Sequence, residues 1–255
     1  MKLDIILRTH STGNLRPGTR FLQVPKEQLV LTCTTSLINS ANLVSPDDHE
    51  IKIVIVDDHS TESCVAGLKR ILATSKHPTQ LIQIEQPGHA ASLMACYEYG
   101  RDHARDVIYF IEDDYLHFPS AISEMIEMYD WVKASLGDKE VALLANDDPD
   151  SYRNPWMEPA RIVLGKYRHW RTNLFSTSSF WFSKKTLLKY WDIYMRHTHY
   201  GEHEVIHEGT TVDRVWRHSV QLFTPIPSLA VHMEYTDNIA PFVYWEGLWK
   251  SIIVP

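Results

Sequence analysis

Three consecutive carboxylates, Glu112, Asp113 and Asp114, come directly after the apolar residues 107–111. An unbroken apolar run of this length is typical of a strand that is buried on both faces. In parallel sheets the chemistry lies at the carboxyl ends of the strands, which is where these acids fall. Adjacent anions repel one another and lose solvation on burial, so a cation beside them would stabilise them. The triplet therefore predicts a divalent cation site, with a solvated acidic turn as the alternative.

Polar turns follow several other apolar runs of the same kind. The runs begin near residues 3, 51, 80, 107 and 141, and helical patterns separate most of them. This alternation predicts βαβ units, and therefore an α/β protein with a mostly parallel central sheet and helices on both faces. Strand ends of such a sheet meet at one edge, so the turns should lie together. These predicted functional turns are residues 8–11, 57–60, 87–92 and 112–115.

The periodicity is weaker after residue 151. Residues 152–173 are rich in proline, arginine and aromatic residues, so we predict an irregular binding segment there. Because no repeat, low-complexity tract or linker interrupts the sequence, we expect one domain over residues 1–255. The further predicted elements are a strand over 175–182, a helix over 184–196, a helical stretch ending near 220, and strands over 222–224 and 229–232.

Composition excludes several classes of protein. The formal net charge of −7 argues against nonspecific binding to nucleic acid or to anionic membranes. No segment approaches the roughly 20 apolar residues of a transmembrane helix, and the N-terminus is charged again at Asp4, so it lacks a signal-peptide core. Cys33, Cys64 and Cys96 are far apart, odd in number and without metal-type spacing. We therefore expect a cytoplasmic protein without a transmembrane segment or a nucleic-acid partner.

Three stretches carry a resemblance to a known family. Residues 4–11 read D-I-I-L-R-T-H-S, residues 53–62 read I-V-I-V-D-D-H-S-T-E, and the triplet reads E-D-D. Together they resemble nucleotide-sugar glycosyltransferases of the GT-A fold, close to family 2. The first resembles the family's first strand and nucleotide-contacting turn, and the second its V-V-D-D-G-S-T-D signature with His59 in place of glycine. The third resembles its metal-binding D-x-D motif, and the whole resemblance spans roughly residues 3–232.

The resemblance implies a Rossmann-like GT-A fold and a role for each matching residue. Asp58 would accept a hydrogen bond from the ring N–H of a uracil-type base, which predicts a UDP-sugar donor, with dTDP- and GDP-sugars as the alternatives. Asp114 would bind Mn²⁺ or Mg²⁺, and the metal would neutralise the departing nucleoside diphosphate. Glu112 and Asp113 would hold ribose hydroxyls or water ligands of the metal. The other positions implied for the nucleotide sugar are Arg8, Thr9, Asp57, His89 and Ser92.

Structural roles are the alternatives for several of these residues. Asp58 could cap the next helix, although Ser60 or Thr61 could do so as well. Arg8 could be an ordinary surface arginine. His89 and Ser92 could simply begin a helix.

The catalytic base is implied to come from the later part of the sequence. The family often has g-E-D-x-D-L on a helix, an arginine six residues after the D of E-D, and a later strand ending in histidine. Glu208, Arg214 and His232 keep about these spacings. The resemblance therefore implies an inverting transfer with Glu208 as general base and His232 as a further metal or diphosphate contact. Glu204 and Asp213 remain the alternative bases.

The acceptor is implied to be a hydroxyl group of a glycan or glycoconjugate, bound by residues 151–255, while residues 1–150 bind the nucleotide sugar. Asp147 and Asp148, in a predicted loop, are candidate acceptor contacts. Four aromatic residues are candidates for stacking on sugar faces, with burial in the core as the alternative. They are Trp156, Trp170, Trp181 and Phe182.

A competing motif lies close to the implied base. Residues 203–207 read H-E-V-I-H, which on a helix would place His203 and His207 on one face and leave Glu204 to activate water in a zinc peptidase. Asp213 could be a third ligand. The chain has 14 histidines, which makes chance matches common, and zinc hydrolysis leaves the polar strand ends unexplained. A nucleotide-sugar-binding module without turnover is a third hypothesis, against which the intact acidic triplet argues.

Overall fold

The computed structural model describes residues 1–12, 21–137, 139–153, 159–176, 179–199, 206–233 and 236–255. Its strands are β1 Lys2–Thr9, β2 Glu50–Asp57, β3 Thr79–Gln83, β4 Val107–Glu112, β5 Tyr115–His117, β6 Val141–Leu143, β7 Ile162–Leu164, β8 His169–Asn173, β9 Phe180–Ser183, β10 Gln221–Ile226 and β11 Ala230–His232. Its α-helices are α1 Lys26–Ala41, α2 Glu62–Leu72, α3 His89–His103, α4 Ala121–Leu136, α5 Asp150–Arg153, α6 Lys184–Lys189, α7 Trp191–His197, α8 Asp213–His218 and α9 Trp245–Ser251. Short 3₁₀ helices cover Glu208–Thr210 and Thr236–Asn238.

A mixed central sheet organises the described residues. Its strands lie in the order β3-β2-β1-β4-β9-β6-β10-β8-β7, and β11 pairs with β5 in a separate ribbon. Strands β3, β2, β1 and β4 are mutually parallel, as are β6 and β10. Antiparallel β9 lies between β4 and β6 and joins these two parallel groups. The predicted α/β class with a largely parallel sheet is confirmed.

The central strands form because both of their faces are buried. Along β1, Ile5 contributes to the apolar cluster on one face and Ile6 to the cluster on the other, as the two-residue period of a strand requires. Helices α1, α2 and α4 pack on the first face, while α3, α7 and α8 pack on the second. Full burial of one such side chain contributes roughly 1.5–3 kcal/mol. The predicted helices on both faces are therefore present.

The segment 152–173, which was predicted to be an irregular binding segment, contains two strands, and its binding role stays a prediction. Strands β7 and β8 form an antiparallel pair within it, and β8 pairs with β10 at the edge of the central sheet. The strand periodicity of this segment is not visible in the sequence, because some of its buried positions are polar. These residues are paired with partners that are distant in sequence. Arg171 pairs with Asp147, and the Asn173 amide donates to Thr224.

The predicted sugar-stacking role is excluded for three of the four aromatic candidates. Trp170 is 2% exposed, and Trp181 and Phe182 are fully buried because they lie in β8 and in the central strand β9. Trp156 lies outside the described residues. The strand predicted from residue 175 begins only at Phe180, and the helix predicted over 184–196 is divided at Tyr190 into α6 and α7.

No helix in the part of the chain that the structure describes has the length and apolar character needed to cross a membrane.

Candidate active site

The turns after β1 and β2 are joined by hydrogen bonds. The Asp58 N–H donates to the Thr9 carbonyl at 2.8 Å, and the Thr9 hydroxyl donates to Asp57 Oδ1 at 2.8 Å. One residue further on, the Ser11 N–H donates to the Ser60 hydroxyl at 3.0 Å. These bonds follow from the parallel register of β1 and β2, which places Thr9 opposite Asp57. The two predicted functional turns therefore form one rigid unit.

Asp58 connects this unit to the turn before α3. Both of its carboxylate oxygens lie 3.1 Å from the Gly88 N–H, and His59 Nδ1 lies 3.1 Å from Oδ1. Gly88 has a φ of +116°, a conformation that side chains disfavour, so glycine lets the chain turn towards the carboxylate. The N-cap of α2 is Thr61, whose hydroxyl accepts the Cys64 N–H at 3.1 Å. The helix-cap alternative for Asp58 is therefore not observed.

Arg8 links Glu112 to the start of α3. Its guanidinium forms an ion pair with the Glu112 carboxylate, and Nη1 lies 3.0 Å from His89 Nδ1. Burial lowers the pKa of His89 to about 4, and the positive charge of Arg8 adds to this effect. His89 is consequently neutral at pH 7, and its Nδ1 accepts the hydrogen bond from Arg8. Arg8 is thus a half-buried member of the site rather than a surface arginine.

Ser92 lies in the first turn of α3. It is buried in α3, and its hydroxyl lies 3.0 Å from the Gly88 carbonyl and 3.1 Å from the His89 carbonyl. Donation to these oxygens serves the first turn of its own helix. Ser92 therefore stabilises the start of α3, and its contact with the nucleotide sugar stays a prediction.

The Asp113 carboxylate contacts the turn after β1 and the start of α1. Its carboxylate accepts the Lys26 ammonium at 2.5 Å and the His10 N–H at 2.7 Å. Lys26 was not among the predicted site residues, although one signal for it was present in the sequence. Lys26 is the first residue of α1, where the helix dipole disfavours a cation, so a nearby anion could have been expected.

Glu112, Asp114 and His232 form a cluster suited to a metal ion. One ligand atom of each lies within 4.8 Å of the others, and His232 Nε2 is 3.3 Å from Asp114 Oδ1. The β5–β11 ribbon creates this proximity by placing His232 opposite Tyr115, against whose ring it stacks at 4.7 Å. Two carboxylates and one imidazole are a donor set that Mn²⁺ accepts, and Mg²⁺ less readily. The residues predicted as metal ligands, Asp114 and His232, thus meet, and Glu112 joins them.

Glu208 and Asp213 differ in how firmly their carboxylates are held. Glu208 begins a 3₁₀ helix and is partly exposed. Asp213 is buried in α8, where Oδ1 accepts the Ser176 N–H at 2.8 Å and the Ser176 hydroxyl at 3.0 Å. Burial raises the pKa of Asp213 to about 6 despite these hydrogen bonds and the charge of Arg217. Asp213 therefore anchors Ser176, and Glu208 is the more accessible of the two.

We expect Asp213→Asn to stabilise the protein at pH 7.5. The pKa of Asp213 rises from 3.8 to about 6 on folding, so stability is lost as pH increases through this range and the buried carboxylate ionises. An amide stays neutral, so the variant should gain on the order of 2 kcal/mol at pH 7.5 and little below about pH 4. Denaturant unfolding at both pH values measures this difference. An equal gain at both would contradict it.

The competing zinc motif lies largely outside the described residues, which exclude His203 and Glu204. His207 is described, and its backbone is extended, with φ −146° and ψ 175°. It precedes the 3₁₀ helix, and its Nδ1 accepts the Gly209 N–H at 3.1 Å. A helix that presents two imidazoles on one face would have to include His207, so the described conformation does not favour a zinc peptidase.

A parallel βαβ half-sheet with acidic residues at the end of β4, extended by antiparallel strands, defines the GT-A fold class. Residues 24–200 match the sequence model of a protein family described as "Glycosyl transferase family 2". The chain belongs to this family, which confirms the resemblance read from its motifs. No curated protein sequence matches it.

Solved structures support the same fold, and 267 of their chains match. S. aureus TarS is 12% identical, with a TM-score of 0.54 over 87% of this chain and 35% of that one. Its fragment 1–349 in complex with UDP is 14% identical, with a TM-score of 0.53 over 87% of this chain and 57% of that one. This protein therefore spans between about one third and three fifths of the TarS chains that it matches.

Proposed function

We propose that the protein is a metal-dependent, inverting glycosyltransferase that moves a sugar from a UDP-sugar to a hydroxyl group of a glycan acceptor. The observation that carries this proposal is the cluster of Glu112, Asp114 and His232 at the carboxyl edge of the sheet. The Asp58 turn lies at the same edge, because β1 pairs with both β2 and β4. Membership of glycosyl transferase family 2 supports the reaction class.

The donor end of the site would be divided between two groups of residues. Glu112, Asp114 and His232 would hold Mn²⁺ or Mg²⁺, which supplies Lewis-acid stabilisation to the leaving diphosphate. Asp58 would accept the N–H of the base, and its geometry is held by Gly88. Thr9 and Asp57 would support this turn rather than contact the donor, since they bond to each other.

The acceptor end would use Glu208 as general base. Its carboxylate takes the proton of the acceptor hydroxyl, and the oxygen attacks the anomeric carbon as the bond to the diphosphate breaks. One attack from the opposite face inverts the configuration at that carbon. The partial exposure of Glu208 supports this role, whereas the Asp213 carboxylate is buried against Ser176.

The choice of uridine is supported by Asp58, since a carboxylate accepts the single ring N–H that uracil presents. The UDP complex of TarS 1–349 shares the fold at 14% identity and supports the same choice.

A nucleotide panel tests the proposal directly. We expect UDP with MnCl₂ to raise the melting temperature more than ADP, CDP or GDP does. A ligand that binds only the folded state stabilises it more when it binds more tightly, and Asp58 is proposed to favour uracil. EDTA should remove most of the shift. A shift that is equal for all the nucleotides, or none with UDP, would contradict the donor assignment. UDP-sugars can then be compared by the release of UDP.

A further inference from the structure

A second concave site lies along the edge of the central sheet. It is a cleft of about 600 Å³ between α5 and strand β8, with residues 159–162 on its rim. Arg161 and Arg171 line it together with Tyr152, Asn173 and other uncharged residues, and none of the described lining residues is acidic. Asp147 pairs with Arg171, so Arg161 carries the excess positive charge of the cleft, which favours an anionic ligand.

Arg171 is a buried cation that uses only part of its hydrogen-bonding capacity. Its Nε donates to Asp147 Oδ1 at 3.0 Å, while Asp147 Oδ2 accepts the Tyr152 hydroxyl at 2.6 Å. Arg171 Nη2 is buried and has no hydrogen-bond partner among the described residues. An unsatisfied buried donor costs roughly 1–3 kcal/mol, so a ligand oxygen at this nitrogen would be stabilising.

Tyr152 covers Arg171 on the cleft side. Its ring lies 4.8 Å from the guanidinium carbon and is 55% exposed. Rotation of this exposed ring would give a ligand access to Nη2, and the ring face could then pack against the rest of that ligand.

Arg161 supplies a second charge at the rim of the same cleft. Its backbone is anchored to β8, because its N–H donates to the Thr172 hydroxyl and its carbonyl accepts the Thr172 N–H, each at 2.9 Å. Its guanidinium forms no ion pair within the part of the chain that the structure describes. Thus one arginine is fixed in the cleft wall, and the other is held at its rim without an ion pair to any described residue.

The loop between β6 and α5 connects the cleft to the metal cluster. Asp147 in this loop holds Arg171, and the next residue, Asp148, interacts electrostatically with His232. A molecule in the cleft would therefore lie against the same loop that borders the metal cluster.

We propose that this cleft binds an anionic group, a phosphate or a carboxylate, on the acceptor of the transfer reaction. Arg161 and Arg171 bind the anion, and Tyr152 packs against the adjoining sugar. The inference rests on the proposed function, because it specifies the class of acceptor.

Binding of simple sugars in EDTA tests this inference separately from the donor site. Calorimetric titrations would compare glucose 6-phosphate, glucuronate and uncharged glucose. We expect at least one of the two anionic sugars to bind tenfold or more tightly than glucose. Arg161→Gln should weaken that binding about tenfold, because it removes a charge-assisted hydrogen bond. Arg70→Gln, the same change at an exposed arginine of α2, should leave it unaltered.

A second variant examines the buried arginine. Arg171→Lys keeps the charge near Asp147 but loses the planar fork of donors, so the preferred anion should again bind several-fold more weakly. Stabilisation by UDP and MnCl₂, measured on every variant, reports on the donor site independently. Equal binding of glucose and both anions, or unchanged anion binding by Arg161→Gln, overturns the inference even when UDP binds. If the wild-type protein does not bind UDP, the donor assignment is overturned instead.

Discussion

Asp114→Asn is expected to abolish metal-dependent UDP binding and to lower the rate of sugar transfer by about 10³-fold or more. Asp114 forms the proposed metal site together with Glu112 and His232, so loss of its carboxylate leaves one carboxylate and one imidazole. A catalytic metal contributes several kcal/mol of transition-state stabilisation, which corresponds to this rate effect. The fold should persist, because the Met233 N–H bonds to the main-chain oxygen of Asp114.

Two measurements check this expectation. Electron paramagnetic resonance counts bound Mn²⁺, and thermal unfolding with UDP and MnCl₂ reports the donor complex. Asp102→Asn is the matched control, since Asp102 is an exposed carboxylate paired with Arg101. It should behave as the wild type does. If Asp114→Asn kept both Mn²⁺ binding and the UDP-dependent shift, the assignment of the metal site would be wrong.

Glu208→Gln is expected to retain UDP and Mn²⁺ binding while transfer falls by about 10²–10⁴-fold, which is the usual contribution of a general base. Glutamine keeps the shape and polarity of the side chain but cannot accept the proton of the acceptor hydroxyl. The proposed donor residues lie at or just after the ends of β2, β4 and β11, whereas Glu208 lies in a separate 3₁₀ helix, so the donor complex should be unaffected.

The alternative bases provide the comparison. Single-turnover transfer would be measured for Glu208→Gln, Glu204→Gln and Asp213→Asn, with UDP binding measured on each variant. Retained transfer in Glu208→Gln, together with loss in one of the other two, would move the base to that residue. A zinc peptidase would instead be inactivated by Glu204→Gln and would contain about one tightly held zinc ion per chain.

Much of the fold follows from local sequence patterns. The strands β1, β2, β3, β4 and β6 lie at the predicted places, and helices separate most of them as expected. These elements could be read because buried strands are continuous apolar runs and the helices between them begin and end at recognisable residues such as Thr61. The secondary structure after residue 151 was harder to predict, because buried polar residues there pair with residues far away in sequence.

For the candidate site, local sequence patterns were enough to identify the carboxylates at strand ends, since Asp57, Asp58 and the triplet 112–114 directly follow apolar runs. The partner of each of these acids could be known only from the folded chain. In the folded chain, Asp113 pairs with Lys26, and the β5–β11 ribbon places His232 beside Asp114. The fold also places Arg171 in a cleft beside Tyr152. The physical reason is that neighbouring residues in a turn point in different directions, and their partners come from strands and helices distant in sequence.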